Sequence, residues 1–270
     1  MLKKSYSGAN GFTMLSKIGE SSLKLMSFGM LSLEGGQSYT FPALPDQETA
    51  FVILGGRCHV QAGSADWPCV GKRRNVFSGP AAAFFAFPGT PVTITALERL
   101  SIAVTFAPSD KQGAPVLVNP SDVVVKSLGR MTWAREAHFI IDERIDAAKI
   151  YIGESFIQGW SGYPPHKHDV EDMPDENLME ELYFFKFNLP QGYGAQFVYT
   201  ADGELDEAYR VKNDDLVEVP RGYHPFVAAP GYTGYMLWIM SGSTRGFYMS
   251  SDPDHAWVNA MDGFIGKNLK

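Results

Sequence analysis

The chain has 270 residues and a formal net charge of −7, with 45% hydrophobic and 20% charged residues. This length can bury a sizeable core in one large or two modest domains. No apolar stretch approaches the roughly 20 residues of a membrane helix, and residues 1–6 lack the apolar core of a secretory signal. The sequence is acidic overall and contains no large Lys/Arg cluster of the kind that neutralises the phosphates of a nucleic acid. We therefore expect a cytoplasmic protein that binds a small molecule, with no nucleic-acid or membrane partner.

Short apolar, β-branched and aromatic runs alternate with Gly, Pro and Asp along the whole chain, which is typical of a β-sandwich or barrel. The first-half strands are predicted at 25–33, 50–54, 58–62, 82–87, 92–96 and 101–106, with a hairpin turn at 55–56. The second-half strands are predicted at 150–157, 182–187, 195–199, 208–211, 216–219, 225–228 and 235–240. Between the halves, 121–145 is predicted to be a connector with room for one short helix.

The two sets of strands indicate an internal duplication, which has to be tested before any fold is assigned. Glu48 opens an apolar run, and a Pro-Gly turn follows at 88–89. Glu181 opens a second apolar run, and a Pro-Arg-Gly turn follows at 220–222 at nearly the same distance. The repeat predicts the same barrel twice.

A candidate metal site lies in the second copy. His166 and His168 would face the same side of an extended strand, because successive side chains alternate between faces. Of the adjacent carboxylates Glu180 and Glu181, only one can face the same ion, and we choose Glu181 because it opens the apolar run. With His224 after the Pro-Arg-Gly turn, the set is three imidazoles and one carboxylate. Such ligands suit zinc, manganese, iron or nickel, and the predicted cofactor is one divalent ion, zinc or manganese.

The first copy lacks this ligand pattern. Val92 stands where the repeat would place His224. We therefore predict a degenerate barrel at 1–120 without metal ligands, the connector at 121–145, and a metal-binding barrel at 146–270.

Longer strings around the candidate ligands resemble one known family. They are Gly-Trp-Ser-Gly-Tyr-Pro-Pro-His-Lys-His-Asp at 159–169, Glu-Glu-Leu-Tyr-Phe-Phe at 180–185, Pro-Gln-Gly-Tyr at 190–193, Val-Pro-Arg-Gly-Tyr-His-Pro-Phe-Val-Ala-Ala-Pro-Gly-Tyr at 219–232 and Asp-Pro-Asp-His-Ala-Trp at 252–257. These strings are similar to the 5-deoxy-glucuronate isomerases of myo-inositol catabolism, which are bicupins of the cupin superfamily. The resemblance implies an all-β fold of two tandem jelly-roll barrels.

The same resemblance implies an aldose-ketose isomerase that converts 5-deoxy-glucuronate to 2-deoxy-5-keto-gluconate. A metal ion that chelates the carbonyl and a neighbouring hydroxyl oxygen would stabilise an enediolate, and a metal-mediated hydride shift is the alternative route. Lys186, Gly162 and Trp238 depart from the family's pattern, and Trp238 is expected to alter the pocket floor.

Three rival functions stay open. One is an isomerase of 5-keto-4-deoxyuronate. Another is a cupin dioxygenase whose metal is held by three His and one Glu. The last is a sugar-binding bicupin without catalysis. The sequence is also compatible with a homo-oligomer.

The catalytic base has no signature in the sequence. The candidates on or near the predicted site strands are Tyr183, Tyr223, Tyr163 and Asp169. The acidic segment 169–180 is interpreted as a solvated turn in preference to a flap, since an acidic lid would repel a uronate.

A uronate carboxylate also needs a cation. Arg221, Lys167 and Arg245 are candidates. Lys167 is expected to point away from the site because it lies between two inward histidines, and Arg221 is favoured.

The remaining histidines and both cysteines are assigned structural roles. Cys58 and Cys69 have neither redox nor zinc-knuckle spacing, and we predict free, packed thiols, with a cross-strand disulfide as the alternative. His59 and His138 are interpreted as structural or exposed residues, and His255 as a C-terminal packing residue.

Overall fold

The computed structural model describes residues 1–261, which are almost entirely β-structure. The first half contains β1 (Lys3–Ser5), β2 (Gly11–Ser16), β3 (Ser27–Leu33), β4 (Ser38–Phe41), β5 (Gln47–Gly55), β6 (Cys58–Ala62), β7 (Ala65–Val70), β8 (Ala83–Ala86), β9 (Val92–Ala96), β10 (Leu100–Pro108) and β11 (Val116–Val118). The second half contains β12 (Val124–Leu128), β13 (Arg135–Ile141), β14 (Ile150–Ile157), β15 (Trp160–Ser161), β16 (His166–Lys167), β17 (Met179–Phe187), β18 (Tyr193–Tyr199), β19 (Asp206–Lys212), β20 (Asp215–Val219), β21 (Phe226–Ala228), β22 (Gly234–Gly242) and β23 (Ser250–Ser251). The all-β prediction is confirmed.

Each half contains one sheet of six or seven strands and one of four, which match between the halves in strand order, and a fifth sheet pairs β16 with β23. The first half has a six-stranded sheet, β11-β8-β5-β10-β3-β2, and a four-stranded sheet, β4-β9-β6-β7. The second half has a seven-stranded sheet, β1-β20-β17-β22-β14-β13-β12, and a four-stranded sheet, β15-β21-β18-β19. β1 completes the sheet of the opposite half by pairing with β20. This correspondence is consistent with the predicted tandem barrels.

Every predicted strand overlaps an observed one. The segment predicted to be a connector, however, also contains strands. Segment 121–145 contains β12 and β13, which extend the seven-stranded sheet beyond β14. The helical turns of this region are two short 3-10 helices, Pro120–Asp122 and Met131–Trp133. β12 is exposed along most of its length although it contains Val124 and Val125, and it gains its place by pairing with β13. Where the halves divide stays a prediction.

Alternation along the central strands explains the three apolar cores. In β5, Phe51 points into the first-half barrel while Val52 points to the opposite half. In β17, Phe185 points into the second-half barrel while Phe184 packs between the halves. A strand buried on both faces is therefore apolar at nearly every position. The two large sheets pack against each other through these outward faces.

Two buried glutamates connect the halves in a reciprocal way. The carboxylate of Glu48 accepts hydrogen bonds from the backbone N–H groups of residues 148–150, at 2.8, 2.8 and 2.9 Å. The carboxylate of Glu180 accepts them from residues 24–25, at 2.7 and 2.8 Å. Each glutamate thus binds the start of an equivalent strand, β14 or β3, in the other half.

This symmetry corrects the alignment of the repeat. Glu48 was matched to Glu181 from the sequence, but both Glu48 and Glu180 face the opposite half and make the same kind of contact. The counterpart of Glu181 is Thr49, which pairs with β10 as Glu181 pairs with β22. The sequence alignment was therefore displaced by one residue, which exchanges the two faces of a strand.

A buried ion pair also crosses between the halves. Arg73 donates from Nη1 to both carboxylate oxygens of Glu154 at 2.9 Å, and both side chains are almost fully buried. His138 lies 3.1 Å from Glu154 and 2.7 Å from Glu136. Burial opposes the charge on His138, but these two carboxylates raise its pKa above the usual value. His138 is structural, as the sequence indicated.

Both cysteines are free thiols. Cys58 is buried as predicted, whereas Cys69 is exposed and is therefore not a packing residue, contrary to the prediction. His59 is partly exposed and pairs with Asp66. Within residues 1–261, no helix has the length and apolar character needed to cross a membrane.

Candidate metal centre

Three histidines converge inside the second-half barrel. Their candidate ligand nitrogens all lie within 4.8 Å of one another. His166 belongs to the two-residue strand β16, His168 follows it, and His224 lies in the turn between β20 and β21. The ring centre of His224 is 4.9 Å from that of His166 and 5.0 Å from that of His168.

Glu181 completes the cluster from β17. Its Oε2 atom lies 3.1 Å from Nε2 of His168 and 3.1 Å from Nε2 of His224. Glu181 faces the barrel interior while Glu180 faces the other half, as alternation along a strand requires. The structure thus brings together all four residues that the sequence proposed as ligands.

The hydrogen bonds of the rings favour a cation at this point. Nδ1 of His168 donates to the carbonyl oxygen of Met179 at 2.7 Å, and Nδ1 of His224 donates to that of Gly222 at 2.7 Å. In a neutral imidazole, the other nitrogen is then a lone-pair acceptor. With both rings neutral, the two Nε2 lone pairs would face the Glu181 carboxylate, which is also an acceptor, and the buried Nε2 of His224 has no hydrogen-bond partner. A metal ion satisfies such a convergence of acceptors, so the residues fit the group.

The ionisation of the cluster also suits a metal. Burial raises the pKa of Glu181, but contacts with His168 and His224 outweigh it and lower the pKa to about 2. Desolvation and the neighbouring histidines hold the pKa of His166 well below its usual value. Glu181 is therefore a carboxylate and His166 a neutral ligand at neutral pH. Burial lowers the pKa of His168, but the hydrogen bond and the charge of Glu181 outweigh it and raise the pKa above the usual value.

Gly222 allows the turn that presents His224. Its φ is +90°, and an added Cβ would lie 2.5 Å from the carbonyl oxygen of Tyr199. Only glycine adopts this conformation without strain. The N–H of Gly222 donates to Asp169 at 2.8 Å, which connects the turn to the His-x-His segment.

An aromatic and Met-rich pocket surrounds the ligands. Its walls come from β12, β13, β14, β17 and β22 and from the segment after β22. The residues lining it are Leu128, Arg135, Ala137, Phe139, Ser155, Ser161, Gly162, His166, His168, Glu181, Tyr183, Met236, Trp238, Met240, Phe247 and Met249. A small polar molecule bound here would lie between the ligand cluster and an apolar wall.

Of the four candidate bases, Tyr183 is the one among the described pocket-lining residues. Its hydroxyl donates to Oε2 of Glu181 at 3.0 Å, and burial and the Glu181 charge hold its pKa well above the usual value. Tyr223 packs on Tyr199, with ring centres 5.3 Å apart. Tyr163 lies beside Trp160, with ring centres 5.4 Å apart.

Asp169 has a structural role. It accepts hydrogen bonds from Lys167 at 2.7 Å and from the N–H of Gly222 at 2.8 Å. Burial raises the pKa of Asp169, but these hydrogen bonds lower it by more, so the net pKa is below the usual value. Lys167 also binds Glu176 at 2.8 Å and points to these carboxylates, as expected from its place between two inward histidines. A carboxylate held in this way is a poor base.

The two candidate arginines are occupied elsewhere. Arg221 is 45% exposed and pairs with Glu204 at 2.7 Å, and it is not among the residues lining the pocket. Arg245 donates to the carbonyl oxygens of Asp142, Ile145 and Ile150. The pocket does contain one arginine, Arg135, that sequence reasoning missed. Its position became visible only with the strand β13, which had been interpreted as a connector.

The acidic segment 169–180 is held by hydrogen bonds within the segment and to the chain that follows β22. Glu176 accepts from the N–H of Asp169 at 2.8 Å, and Asn177 donates to the carbonyl oxygen of Thr244 at 2.6 Å. The segment therefore packs against the chain that follows β22, which carries two pocket residues, Phe247 and Met249.

The three departures from the family's pattern lie in different places. Trp238 is in the pocket wall, where its Nε1 donates to Ser155 at 3.1 Å. Gly162 also lines the pocket and has a φ of +62°. Lys186 lies outside this pocket and binds Asp214 at 2.5 Å. His255 is near Tyr163, with ring centres 6.4 Å apart.

Comparison with known proteins identifies relatives over most of the chain. The model of the KduI/IolB family matches residues 1–258. The chain is 36% identical to the 5-deoxy-glucuronate isomerase of Geobacillus thermodenitrificans, with 86% of each chain covered. It is 33% identical to the 5-deoxy-glucuronate isomerase of Bacillus subtilis strain 168, covering 94% of this chain and 96% of the relative.

Solved structures agree with these relatives. The crystal structure of an IolB-like protein from Salmonella typhimurium LT2 superposes with a TM-score of 0.92 at 30% identity, covering 96% of this chain and 99% of the other. An oxalate decarboxylase of Lactobacillus farciminis superposes with a TM-score of 0.68 at 12% identity, covering 100% of this chain and 94% of the other. The second likeness shows the cupin fold alone.

Proposed function

This chain belongs to the KduI/IolB family, and from that premise we propose that it is a metal-dependent isomerase that converts 5-deoxy-glucuronate to 2-deoxy-5-keto-gluconate. Relatives that carry the name 5-deoxy-glucuronate isomerase cover most of the chain at 33–38% identity. The observation that carries the proposal is the convergence of His166, His168, His224 and Glu181 in one buried cluster, three members of which line the pocket.

The metal would be one divalent ion, zinc or manganese, held by three imidazole nitrogens and one carboxylate oxygen. Both elements accept this mixture of nitrogen and oxygen ligands. Bound there, the ion would supply Lewis acidity to the carbonyl and neighbouring hydroxyl oxygens of a sugar acid. The backbone carbonyls of Met179 and Gly222 orient His168 and His224 for this role. Such outer hydrogen bonds fix the tautomer of a ligating histidine.

Tyr183 holds a proton beside the ligands. Because the pKa of its hydroxyl is held well above the usual value, the group is a proton donor and not a phenolate base at neutral pH. It lines the pocket and donates its one proton to Glu181, so it keeps this carboxylate oriented, while its oxygen can accept a hydrogen bond from a substrate hydroxyl. The aromatic and Met walls are apolar, and polar contacts are stronger in such surroundings than in water.

Tyr183→Phe tests this role. We expect kcat to fall while bound metal is retained, because the hydroxyl is lost but the ligands stay. Tyr223→Phe is the matched control, since Tyr223 lies outside the pocket lining. Equal effects of the two substitutions would contradict a specific role for Tyr183.

The proposed route moves a proton between neighbouring carbons through an enediol. General acid-base catalysis of such a step requires exchange of the moving proton with a group of the protein. Turnover in deuterium oxide should therefore incorporate deuterium into the product. Product without any solvent deuterium would favour the hydride shift instead.

The central experiment is an anaerobic assay of 5-deoxy-glucuronate isomerisation, together with elemental analysis of the purified protein. We expect activity that disappears on chelation and returns with one divalent metal. A protein that needs oxygen and consumes it would instead be a cupin dioxygenase. Activity confined to 5-keto-4-deoxyuronate would change the substrate but keep the isomerase, and inactive, metal-free native protein would contradict the proposal.

A further inference from the structure

Arg135 occupies a singular position in the candidate pocket. It is the only lysine or arginine among the described residues that line this pocket. It is half-buried, at the first position of β13. A guanidinium is always charged in proteins and binds carboxylates through paired N–H groups.

The register of β13 directs this side chain inward. Ala137 and Phe139 belong to the apolar core of the second-half barrel. His138 points the other way, to the ion pair between the halves. Because side chains alternate along a strand, Arg135 shares the inward face with Ala137 and Phe139. It stands at the end of that row, where β13 pairs with Leu128 of β12, itself a pocket residue.

Arg135 lines the same pocket as His166, Glu181 and Tyr183. Its charge therefore borders the cavity that the candidate ligands also border.

The pocket therefore combines two positive features with apolar walls. Three neutral imidazoles, one carboxylate and a divalent ion would together carry a charge of +1 at one end, and Arg135 adds a second positive charge. Met236, Trp238 and Met240 line the wall. An elongated molecule with a carbonyl at one end, a carboxylate at the other and a methylene segment between them matches this distribution.

We propose that Arg135 binds the carboxylate of the substrate and thereby sets the preference of the site for sugar acids over neutral sugars. The inference rests on the proposed function and deepens it. It replaces Arg221 and Arg245, neither of which is among the described residues that line the pocket.

The test compares 5-deoxy-glucuronate with 5-deoxy-glucose, in which CH2OH replaces the carboxylate, on metal-loaded protein. Turnover and calorimetric binding are both measured for wild type, Arg135→Gln, Arg135→Lys and Arg221→Gln. A hydrogen bond to a charged group contributes an amount equivalent to roughly a 10- to 100-fold preference. Arg135→Gln should therefore lower kcat/KM and affinity for the acid by this factor and leave the neutral sugar within about threefold.

Arg135→Lys should recover part of the preference for the acid, because the charge remains while the paired N–H geometry is lost. Metal content and thermal midpoint show whether each variant folds. If Arg135→Gln does not fold, Arg135→Lys provides the test in its place. Arg57→Gln, in an exposed pair with Glu98 in the first half, is the control.

Three results would overturn the inference. Preference for the acid could persist in a folded Arg135→Gln protein, which would leave the isomerase intact and reject only the role of Arg135. Loss of preference in Arg221→Gln instead would restore the sequence-based choice. A metal-loaded wild type that neither binds nor converts 5-deoxy-glucuronate would reject the proposed function, and the inference with it.

Discussion

The two halves of the molecule share a strand order but differ in the side chains that their central strands turn inward. In β5, Thr49 and Phe51 occupy the register positions that Glu181 and Tyr183 occupy in β17. The first-half barrel is filled by an apolar cluster, whereas the second-half barrel opens to the ligand cluster. The barrel frame by itself therefore does not make a site. The site arises from Glu181 near the start of β17 and from two segments, one at β16 and one between β20 and β21, that supply the histidines.

On the outward faces of the same strands, by contrast, the two halves carry equivalent residues. Glu48 and Glu180 each bind backbone N–H groups of the other half. Neighbouring positions on one strand thus serve different purposes: Glu180 joins the halves, while Glu181 faces the pocket. Substitutions at matched positions can separate these purposes.

The largest expected effect is at the inward position. Glu181→Gln removes the carboxylate from the ligand cluster, and we expect metal affinity to fall by more than the roughly 10- to 100-fold seen when only an orienting partner is lost. Isomerase activity should fall with it. Thr49→Ser, at the matched first-half position, should leave both unchanged. Titration against a chelator measures the affinity, and equal metal loss in both variants would break the comparison.

The next effect is on stability, at the outward position. Glu48→Gln and Glu180→Gln weaken hydrogen bonds to a charged acceptor, each worth about 1.5–3 kcal/mol. We expect unfolding free energies lower by about 2 kcal/mol, with Glu48→Gln the larger because Glu48 has three backbone donors and Glu180 two. Denaturant unfolding measures this difference. Metal content should stay at the wild-type level, and its loss in Glu180→Gln would mean that the two faces are not independent.

A pair of glycines gives a similar effect on stability but a different one on activity. A Cβ at Gly153 would lie 2.0 Å from the ring of Trp238, and one at Gly29 would lie 2.5 Å from the ring of Phe12. Overpacking of this kind costs about 1–3 kcal/mol, so Gly153→Ala and Gly29→Ala should both lower the thermal midpoint. Only Gly153→Ala should also lower kcat/KM, because Trp238 lines the pocket. A loss of activity in Gly29→Ala alone would contradict the assignment of the site to the second half.

The smallest effect is a pH dependence of stability. His138 pairs with Glu154, whereas the matched first-half position, Thr13 opposite Met30, cannot titrate. Since the folded protein raises the pKa of His138, its contribution is fully present below the unfolded value of about 6.5. The contribution is then lost as the pH rises through the folded value.

Calorimetry of metal-saturated protein between about pH 6 and 8 tests this dependence, since the window spans the usual histidine pKa. The contribution of His138 should decrease with increasing pH, and His138→Gln should flatten the curve. An unchanged slope in this variant would show that other groups cause the dependence.

The sequence predicted the features of the fold and the site that depend on a local residue pattern. Apolar runs located the central strands, alternation showed that only one of Glu180 and Glu181 can face the site, and the start of the apolar run selected Glu181. The His-x-His pair with a later His marked the ligand cluster. Each of these follows from side-chain direction along a strand, which does not depend on tertiary contacts.

The features that were missed depend on pairing between distant segments. β12 and β13 gain their place from the sheet, so Arg135 was lost inside a predicted connector. The repeat was aligned one residue out of register, because two adjacent glutamates in one half and one in the other allow either match. The carbonyl partners of His168 and His224 are backbone atoms, which no sequence pattern reveals.

The most direct test of the asymmetry between the halves is a crystal structure of the metal-loaded protein, with anomalous diffraction to locate the ions. The account predicts one ion per chain, bound by His166, His168, Glu181 and His224, and none in the first-half barrel. An ion in the first half, or an ion elsewhere with these four residues unliganded, would contradict it.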